Sequence, residues 1–173
     1  MEKKYQILTD KSISWNGRTL YRIQALKTFG SVVKGDIGGF IEKQSNLSQK
    51  DNCWVYGDAK VYENAKVRDN AKVFGHSEVF GEAIVHDAAE LYGNVKVYDS
   101  ALICNAALIS NYAVIRGNAL IMEDATVCNY AIVKDNAVVK HNTTVNNVAI
   151  IGKDAVISHD KDYYVGKNLK DMK

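Results

Sequence analysis

Residues 55–74 read VYGDAKVYENAKVRDNAKVF, in which Val returns at every sixth position from Val55 to Val73. The same step of six meets Val, Ile or Leu at every position from Val55 to Ile157, without an insertion or a deletion. Four residues after most of these aliphatics stands a small side chain, such as Ala59 or Ala155. A fixed short period of this kind is the sequence signature of a repeat protein, and a six-residue period predicts a parallel β-helix.

A longer cycle on the outward positions predicts how the coil closes. The residue after each aliphatic follows the order aromatic, aromatic, other: Tyr56, Tyr62, Arg68, then Phe74, Phe80, His86, then Tyr92, Tyr98, Cys104. Between these positions Gly, Asn and Asp supply corners, because they tolerate positive φ at low cost. The predicted fold is therefore all-β, with about six triangular coils stacked about 4.8 Å apart.

Composition limits the classes of function. The chain has 173 residues and a net charge of +2, too small to indicate nucleic acid as a partner. Three cysteines without metal-ligand spacing indicate a reducing compartment. The first residues lack the apolar run of a signal peptide, and no apolar run approaches a membrane span. We expect a cytoplasmic protein without a membrane contact.

The first fifty residues depart from the repeat. Asn16 and Gly17 are a strong hairpin signal between two strand-like segments. A solenoid needs such a cap, because a bare first coil exposes unpaired strand edges and the open core. The predicted organisation is a β-rich cap over residues 1–50, a β-helix over residues 51–162, and a closing segment with a tail over residues 163–173.

Several short segments near the N-terminus resemble those of a known family. Phage- and prophage-encoded hexapeptide-repeat proteins have similar segments to three in this chain: LYRI at 20–23, GDIGGFIE at 35–42 and CWVY at 53–56. Members are often labelled transferases, because their coil resembles that of bacterial acyltransferases. The resemblance implies a left-handed parallel β-helix, a phage or mobile-element origin and residence in the host bacterial cytoplasm. It transfers no catalytic residue.

Two aromatic rows are the predicted binding surface. Residues eighteen apart are expected to stack on one face, which gives the rows Tyr56, Phe74, Tyr92 and Tyr62, Phe80, Tyr98. Each row is interpreted as an outward ladder that stabilises the sheet. Protein binding and base stacking are the alternative functions of such a ladder.

An apolar strip on the third face is the predicted oligomer interface. Its members are Ile84, Leu102, Leu120, Val138 and Val156, with Met122 and an outward Cys104 beside them. A monomer rarely exposes a continuous apolar patch of this kind. We expect a closed dimer or trimer, and cover by the chain's own cap or tail is the alternative.

The histidines are weak candidates for chemistry. His86 lies on the apolar face and is the best candidate for a catalytic base. His141 and His159 are eighteen apart, with Glu123 one coil earlier, so these three residues are a possible metal site. Stacked turn histidines in solvent are the simpler interpretation, and no metal or other cofactor is expected.

The function most consistent with these features is non-catalytic. A rod with flat sides and no loop excursion offers few concave places that exclude water. We expect a phage protein that contacts a host protein, with inhibition of a bacterial defence system, as by an anti-CRISPR protein, as the specific hypothesis from the resemblance. Acyl transfer from acyl-coenzyme A and a structural role in the virion or its assembly stay open as alternatives.

Overall fold

The protein is a parallel β-helix with an antiparallel hairpin added to one of its sheets. The computed structural model describes residues 2–158 and the backbone of one further short strand, Asp162–Tyr163. Three sheets run along the rod, and each coil contributes one short strand to each of them. The helical content of the described residues is a single 3₁₀ turn at Gln44–Asn46. The predicted all-β parallel β-helix is confirmed.

The strands divide among the three sheets as follows. Sheet 1 contains the hairpin strands β1 (Tyr5–Trp15) and β2 (Arg18–Ala25), then β3 (Ile37–Ile41), β5 (Lys60–Val61), β8 (Glu78–Val79), β11 (Lys96–Val97), β14 (Val114–Ile115), β17 (Ile132–Val133) and β20 (Ile150–Ile151). Sheet 2 contains β4 (Trp54–Val55), β7 (Lys72–Val73), β10 (Glu90–Gly93), β13 (Leu108–Asn111), β16 (Thr126–Val127), β19 (Thr144–Val145) and β22 (Asp162–Tyr163). Sheet 3 contains β6 (Lys66–Val67), β9 (Ile84–Val85), β12 (Leu102–Ile103), β15 (Leu120–Ile121), β18 (Val138–Val139) and β21 (Val156–Ile157).

The six-residue repeat builds the core and the corners together. Its aliphatic and alanine positions point inward, and Ile109, for example, is completely buried. Backbone amides link each coil to the next, as the Leu102 amide donates to the Ala119 carbonyl at 2.9 Å. At the corners, non-glycine residues take up positive φ, with 58° at Asp69 and 60° at Asp135. Asn and Asp tolerate this conformation better than other side chains, which explains their place in the repeat.

The first coil lies inside the segment predicted as the cap. Phe40 pairs with Lys60 and Leu47 bridges to Val67, whereas the regular spacing of eighteen begins with Val55 and Val73. Two residues more than the repeat requires lie between Leu47 and Val55, so the step of six cannot be followed backwards past Val55. The β-helix therefore has about seven turns, and the prediction of about six is corrected.

The hairpin covers the outer side of sheet 1 at the first coils. Leu20 packs there in a buried cluster with Phe40 and Tyr62, and Trp15 packs against its edge. The ammonium group of Lys60 lies 4.2 Å from the centroid of the Trp15 ring, a cation–π contact. The hairpin thus does more than close one end, because it also removes part of a predicted outer face from solvent.

The N-terminal segment closes the first coil with a buried lysine. Lys4 is 1% exposed, and its ammonium group donates to the carbonyls of Lys50 and Cys53, both at 2.9 Å. Burial lowers the pKa of Lys4, and the neighbouring Cys53 opposes that shift. The Tyr5 hydroxyl donates to the Leu47 carbonyl at 2.7 Å. These bonds satisfy carbonyl groups that have no coil below them to accept from.

Candidate functional site: aromatic and apolar surfaces of the rod

The first aromatic row forms a continuous stack on sheet 2. Ring centroids lie 4.2 Å apart between Tyr56 and Phe74 and 4.5 Å apart between Phe74 and Tyr92, with nearly parallel planes. The Tyr92 hydroxyl donates to Glu90, which also accepts from Lys72 at 2.9 Å. Burial, followed by the bond to Glu90, raises the pKa of Tyr92 to about 12. The faces of the rings are covered by the stacking, so a partner would contact the ring edges.

The second aromatic row is stacked, but one of its rings is not on the surface. Centroids of Tyr62 and Phe80 lie 5.0 Å apart, and those of Phe80 and Tyr98 lie 4.8 Å apart. Tyr62 is only 2% exposed, because the hairpin lies over it. The expectation that Tyr62 belongs to an outward binding surface is therefore wrong. Phe80 is partly covered at the same place, which leaves Tyr98 as the open end of the row.

A buried carboxylate fixes the hairpin to this row. Glu78 is 8% exposed and accepts hydrogen bonds from the Trp15 indole and the Tyr62 hydroxyl, both at 3.0 Å. Lys96, one coil further, lies 3.7 Å from the same carboxylate. Burial, and then the charge of Glu78, raises the pKa of Tyr62. Glu78 thus has the partners that a buried charge requires, and it serves the fold.

The predicted apolar strip exists as one register on sheet 3. Ile84 pairs with Leu102, Leu102 with Leu120, Leu120 with Val138, and Val138 with Val156. The first four side chains are half-buried by their neighbours, and Val156 is 59% exposed. Its role as an oligomer interface stays a prediction.

A second apolar surface, which we call the corner patch, lies where sheet 2 turns into sheet 1. Its members are Tyr112, Tyr130 and Val148 at the corner, and Val114, Ile132 and Ile150 on the adjoining strands. The two tyrosine rings stack at 5.1 Å and are 51% and 61% exposed, and Val148 is 54% exposed. The eighteen-residue spacing of the tyrosines was a visible signal. The repeat pattern alone does not point to the patch, because it predicts Gly, Asn and Asp at corners.

His141 and His86 each lie beside a carboxylate. The Glu123 carboxylate accepts from the His141 amide at 2.8 Å and lies against the His141 ring nitrogen Nδ1. These are two of the three residues of the predicted metal site, and His159 lies outside the described residues. His86, the candidate base, has its Nδ1 3.2 Å from Asp87.

Cys104 is more deeply placed than the sequence suggested. The sequence predicts it on an outward position, yet it is only 6% exposed. It lies one coil above His86, the residue at the equivalent position. Burial raises the pKa of the Cys104 thiol, and the charges of Asp87 and Glu123 add to the shift.

A groove of about 320 Å³ lies at the hairpin end of the rod. Its walls are Lys3, Tyr5, Gln6, Ile7, Gln44 and Gln49. None of these residues belongs to the aromatic rows, the apolar strip or the corner patch. The groove therefore adds no support to any of the predicted sites.

The fold defines the class of this molecule, a parallel β-helix protein. In comparisons with known proteins, no family model matches the chain and no curated protein sequence matches it. The resemblance of the N-terminal segments to phage proteins thus receives no support from these comparisons. In the part of the chain that the structure describes, no helix has the length and apolar character needed to span a membrane.

Proposed function

We propose that the protein is a non-catalytic binding protein whose β-helical rod contacts a protein partner through the corner patch. The observation that carries this proposal is the exposure of Tyr112 and Tyr130, 51% and 61%, next to exposed Val148 and Ile150. Tyrosine is enriched at the energetic centres of protein interfaces, because it offers a large apolar ring and a polar tip at low entropic cost. A patch of this composition favours a protein over a nucleic acid.

The rigidity of the rod supports the same proposal. Tyr112 and Tyr130 each donate a backbone hydrogen bond to the next coil, at 2.8 Å in both cases. Their rings are also stacked on each other in advance. A partner that binds here does not have to order the backbone, so more of the contact energy appears as affinity.

Self-association through the apolar strip is the second part of the proposal. Five aliphatic side chains in one register form the strip, and Arg68 and Lys140 border it with charge. An apolar centre with a polar border is the usual construction of a homo-oligomer interface. The hairpin pairs with sheet 1, whereas the strip lies on sheet 3. We propose a dimer or trimer with closed symmetry.

The biological setting of the proposal comes from the resemblance alone. The resemblance rests on the segments at 20–23, 35–42 and 53–56, and it suggests a phage or mobile-element protein of the bacterial cytoplasm. A host protein is then the partner that the corner patch would meet. Inhibition of a bacterial defence system is the specific form of this hypothesis.

The test is capture from bacterial lysate followed by binding to the purified candidate. We expect the double variant Tyr112→Ala/Tyr130→Ala to bind the candidate at least about tenfold more weakly than wild type, since each is placed as an anchor. The control is Thr126→Ala/Thr144→Ala, a pair of half-buried outward residues on neighbouring strands of sheet 2. Both double variants should keep a circular dichroism spectrum like that of wild type.

Three results would count against the corner patch. Equal affinity of wild type and the tyrosine double variant removes it as the binding surface. Loss of binding in Tyr98→Ala alone would move the contact to the second aromatic row. Recovery of the protein in purified phage particles, with no host partner in the lysate, would favour the structural alternative.

A further inference from the structure

Three side chains of different chemistry converge at one corner of the rod, beside the apolar strip. The imidazole of His86, the carboxylate of Asp87 and the thiol of Cys104 each offer one ligand atom, and these atoms lie within 4.8 Å of one another. Nδ1 of His86 is 3.2 Å from Oδ1 of Asp87 and 3.6 Å from Oδ2 of Asp69. Nitrogen, sulfur and oxygen donors of this kind are the ligands that proteins use for zinc.

We propose that His86, Asp87 and Cys104 form a binding site for a divalent transition-metal ion of the zinc class. A soft thiolate and an imidazole select such an ion over Mg²⁺ or Ca²⁺, which prefer sites made of oxygen alone. This site is separate from the trio of His141, His159 and Glu123 that the sequence suggested.

The distances require only a small closure of the side chains. Zinc–nitrogen and zinc–sulfur bonds of about 2.0 and 2.3 Å in a tetrahedron place the ligand atoms roughly 3.5 Å apart. The His86 and Asp87 atoms already satisfy that spacing at 3.2 Å. Bringing the three donors from 4.8 Å to this spacing needs a movement of about 1 Å, which a χ rotation of Cys104 or His86 supplies without backbone change.

The backbone beneath the site is already fixed. The His86 amide donates to the Ile103 carbonyl at 3.0 Å, and the Cys104 amide donates to the Ile121 carbonyl at 3.0 Å. The two ligands are therefore held on adjacent coils of one sheet. An ion that binds them does not have to order the chain, unlike the ion of a zinc finger.

Asn105 orients the carboxylate of Asp87. Oδ2 of Asp87 accepts from the Asn105 amide at 2.9 Å and from the Asn105 side chain at 3.1 Å. Oδ1 is the atom left to face His86. Such outer hydrogen bonds fix the direction of a metal ligand, and their loss usually weakens binding about 10- to 100-fold.

The charges around the site favour a cation on balance. Asp69 and Asp87 lie beside His86, and the charges of Asp87 and Glu123 act on Cys104. Arg68 is the opposing charge, and it lies 3.9 Å from Asp69, which offsets it. Burial, and then the charges of Asp87 and Glu123, raise the pKa of the Cys104 thiol, so it is not an activated nucleophile in the absence of a cation.

Formation of the metal–sulfur bond releases one proton, that of the Cys104 thiol. The Cys104 S–H bond breaks, its proton leaves to solvent, and the sulfur lone pair forms the bond to the metal, with no change in oxidation state. The side chain of Asp87 is 41% exposed, so water can reach the ion and fill a fourth position. Affinity should therefore rise with pH as the competing proton becomes scarcer.

Cobalt(II) is the probe for the test, because a thiolate ligand gives it a charge-transfer absorption in the near ultraviolet. Titration of the full chain under reducing conditions should produce this band, saturating at one ion per chain. Cys104→Ser should lose the band, and His86→Ala should weaken the apparent affinity at least about tenfold. Zn²⁺ should displace cobalt and raise the Tm of wild type.

Two matched controls make the result specific. Cys128→Ser changes a half-buried cysteine outside the proposed site and should leave the band unchanged. His141→Ala removes a residue of the other suggested metal site and should also leave it unchanged. Wild type without a thiolate band overturns the proposal, as does a band that survives Cys104→Ser or disappears in Cys128→Ser. Circular dichroism of each variant separates loss of a ligand from loss of the fold.

Discussion

An inward aliphatic position disfavours a charge, because the side chains around it are apolar. Ile109 is 0% exposed, in the middle of β13, and its neighbours are aliphatic and alanine side chains. Ile109→Asp would bury an unpaired carboxylate at a cost on the order of 4 kcal/mol or more. We expect this variant to be insoluble or unfolded by circular dichroism.

Ser110→Asp is the matched control for that change. Ser110 is the next residue of the same strand and faces outward, where it is half-buried at the surface. The same new charge at Ser110 stays in water and should change Tm by only a few degrees. Equal Tm values for Ile109→Asp and wild type would show that the inward register is wrong.

The corner amides form a ladder whose donors and acceptors run in one direction. The Asn118 side chain donates to Asn136 at 3.0 Å, and Asn136 donates to Asp154 at 2.9 Å. Asn136→Asp removes the second donor and places two carboxylates together, so we expect a loss of roughly 0.5–1.5 kcal/mol. Urea unfolding at low and high salt measures it, since salt should recover part of the loss.

A donor–acceptor exchange tests the direction of this ladder. Adding Asp154→Asn to Asn136→Asp restores one donor and one acceptor at this step, with the net charge unchanged from wild type. We expect the double variant to regain most of the lost stability. A double variant no more stable than Asn136→Asp would mean that the amide ladder contributes nothing measurable.

At the scale of elements, Trp15 links the hairpin to the coils through a hydrogen bond and a cation–π contact. The Trp15 indole donates to Glu78 at 3.0 Å, and its ring lies over Lys60. Trp15→Ala leaves the buried Glu78 with one fewer donor and opens the cluster over Tyr62, at a cost of about 2–4 kcal/mol. Ser14→Ala, on the exposed side of the same strand, should change stability little. A Trp15→Ala variant as stable as Ser14→Ala would contradict the role of this contact.

Hydrogen exchange then reports where the loss is felt. Amides of β1 and β2 should exchange faster in Trp15→Ala, while those of sheet 3, with which the hairpin does not pair, should keep their protection. Uniform acceleration along the rod would show that the hairpin and the coils unfold as one unit.

The repeat could be predicted from the sequence because inside and outside follow from spacing alone. Val55 to Ile157 in steps of six identify the inward residues, and the structure confirms that they are buried. The first coil escaped because of the two extra residues between Leu47 and Val55. The burial of Tyr62 escaped for a different reason, since it depends on a contact between Trp15 and Glu78, 63 residues apart, that no local pattern records.

The candidate sites were predictable only in part. The eighteen-residue spacing placed the apolar strip and the two aromatic rows in register, as the pairing of Leu102 with Leu120 and the stack of Phe74 on Tyr92 confirm. The corner patch and the group around His86 depend on side chains at corners. Their exposure and distances are set by stacking between coils, which the spacing of one coil does not reveal.

At the scale of the whole molecule, the apolar strip determines whether the rod is alone. Leu120 lies in the middle of the strip and pairs with residues on both sides. Leu120→Arg would place like charges against each other at a symmetric interface, so we expect a fall in mass to that of one chain. Light scattering at micromolar concentration measures the mass of the assembly.

Thr126→Arg is the control for the strip. Thr126 has the equivalent outward place on β16 of sheet 2 and is half-buried, as Leu120 is on sheet 3. Its variant should keep the oligomer of wild type. A monomeric wild type removes the strip as an interface, and an unchanged mass for Leu120→Arg moves the interface elsewhere.

Because every coil after Val55 has the same length, the rod can change its length only in whole coils if its faces are to stay in register. Duplicating eighteen residues would lengthen it by about 4.8 Å and return every later side chain to its own sheet. Inserting six would instead move all later side chains to the next sheet, a third of a turn around the axis, and break every ladder at that point. The two extra residues before Val55 come where no side-chain ladder has yet begun. Rods of graded length with the same three faces can therefore be made from this sequence by copying whole coils.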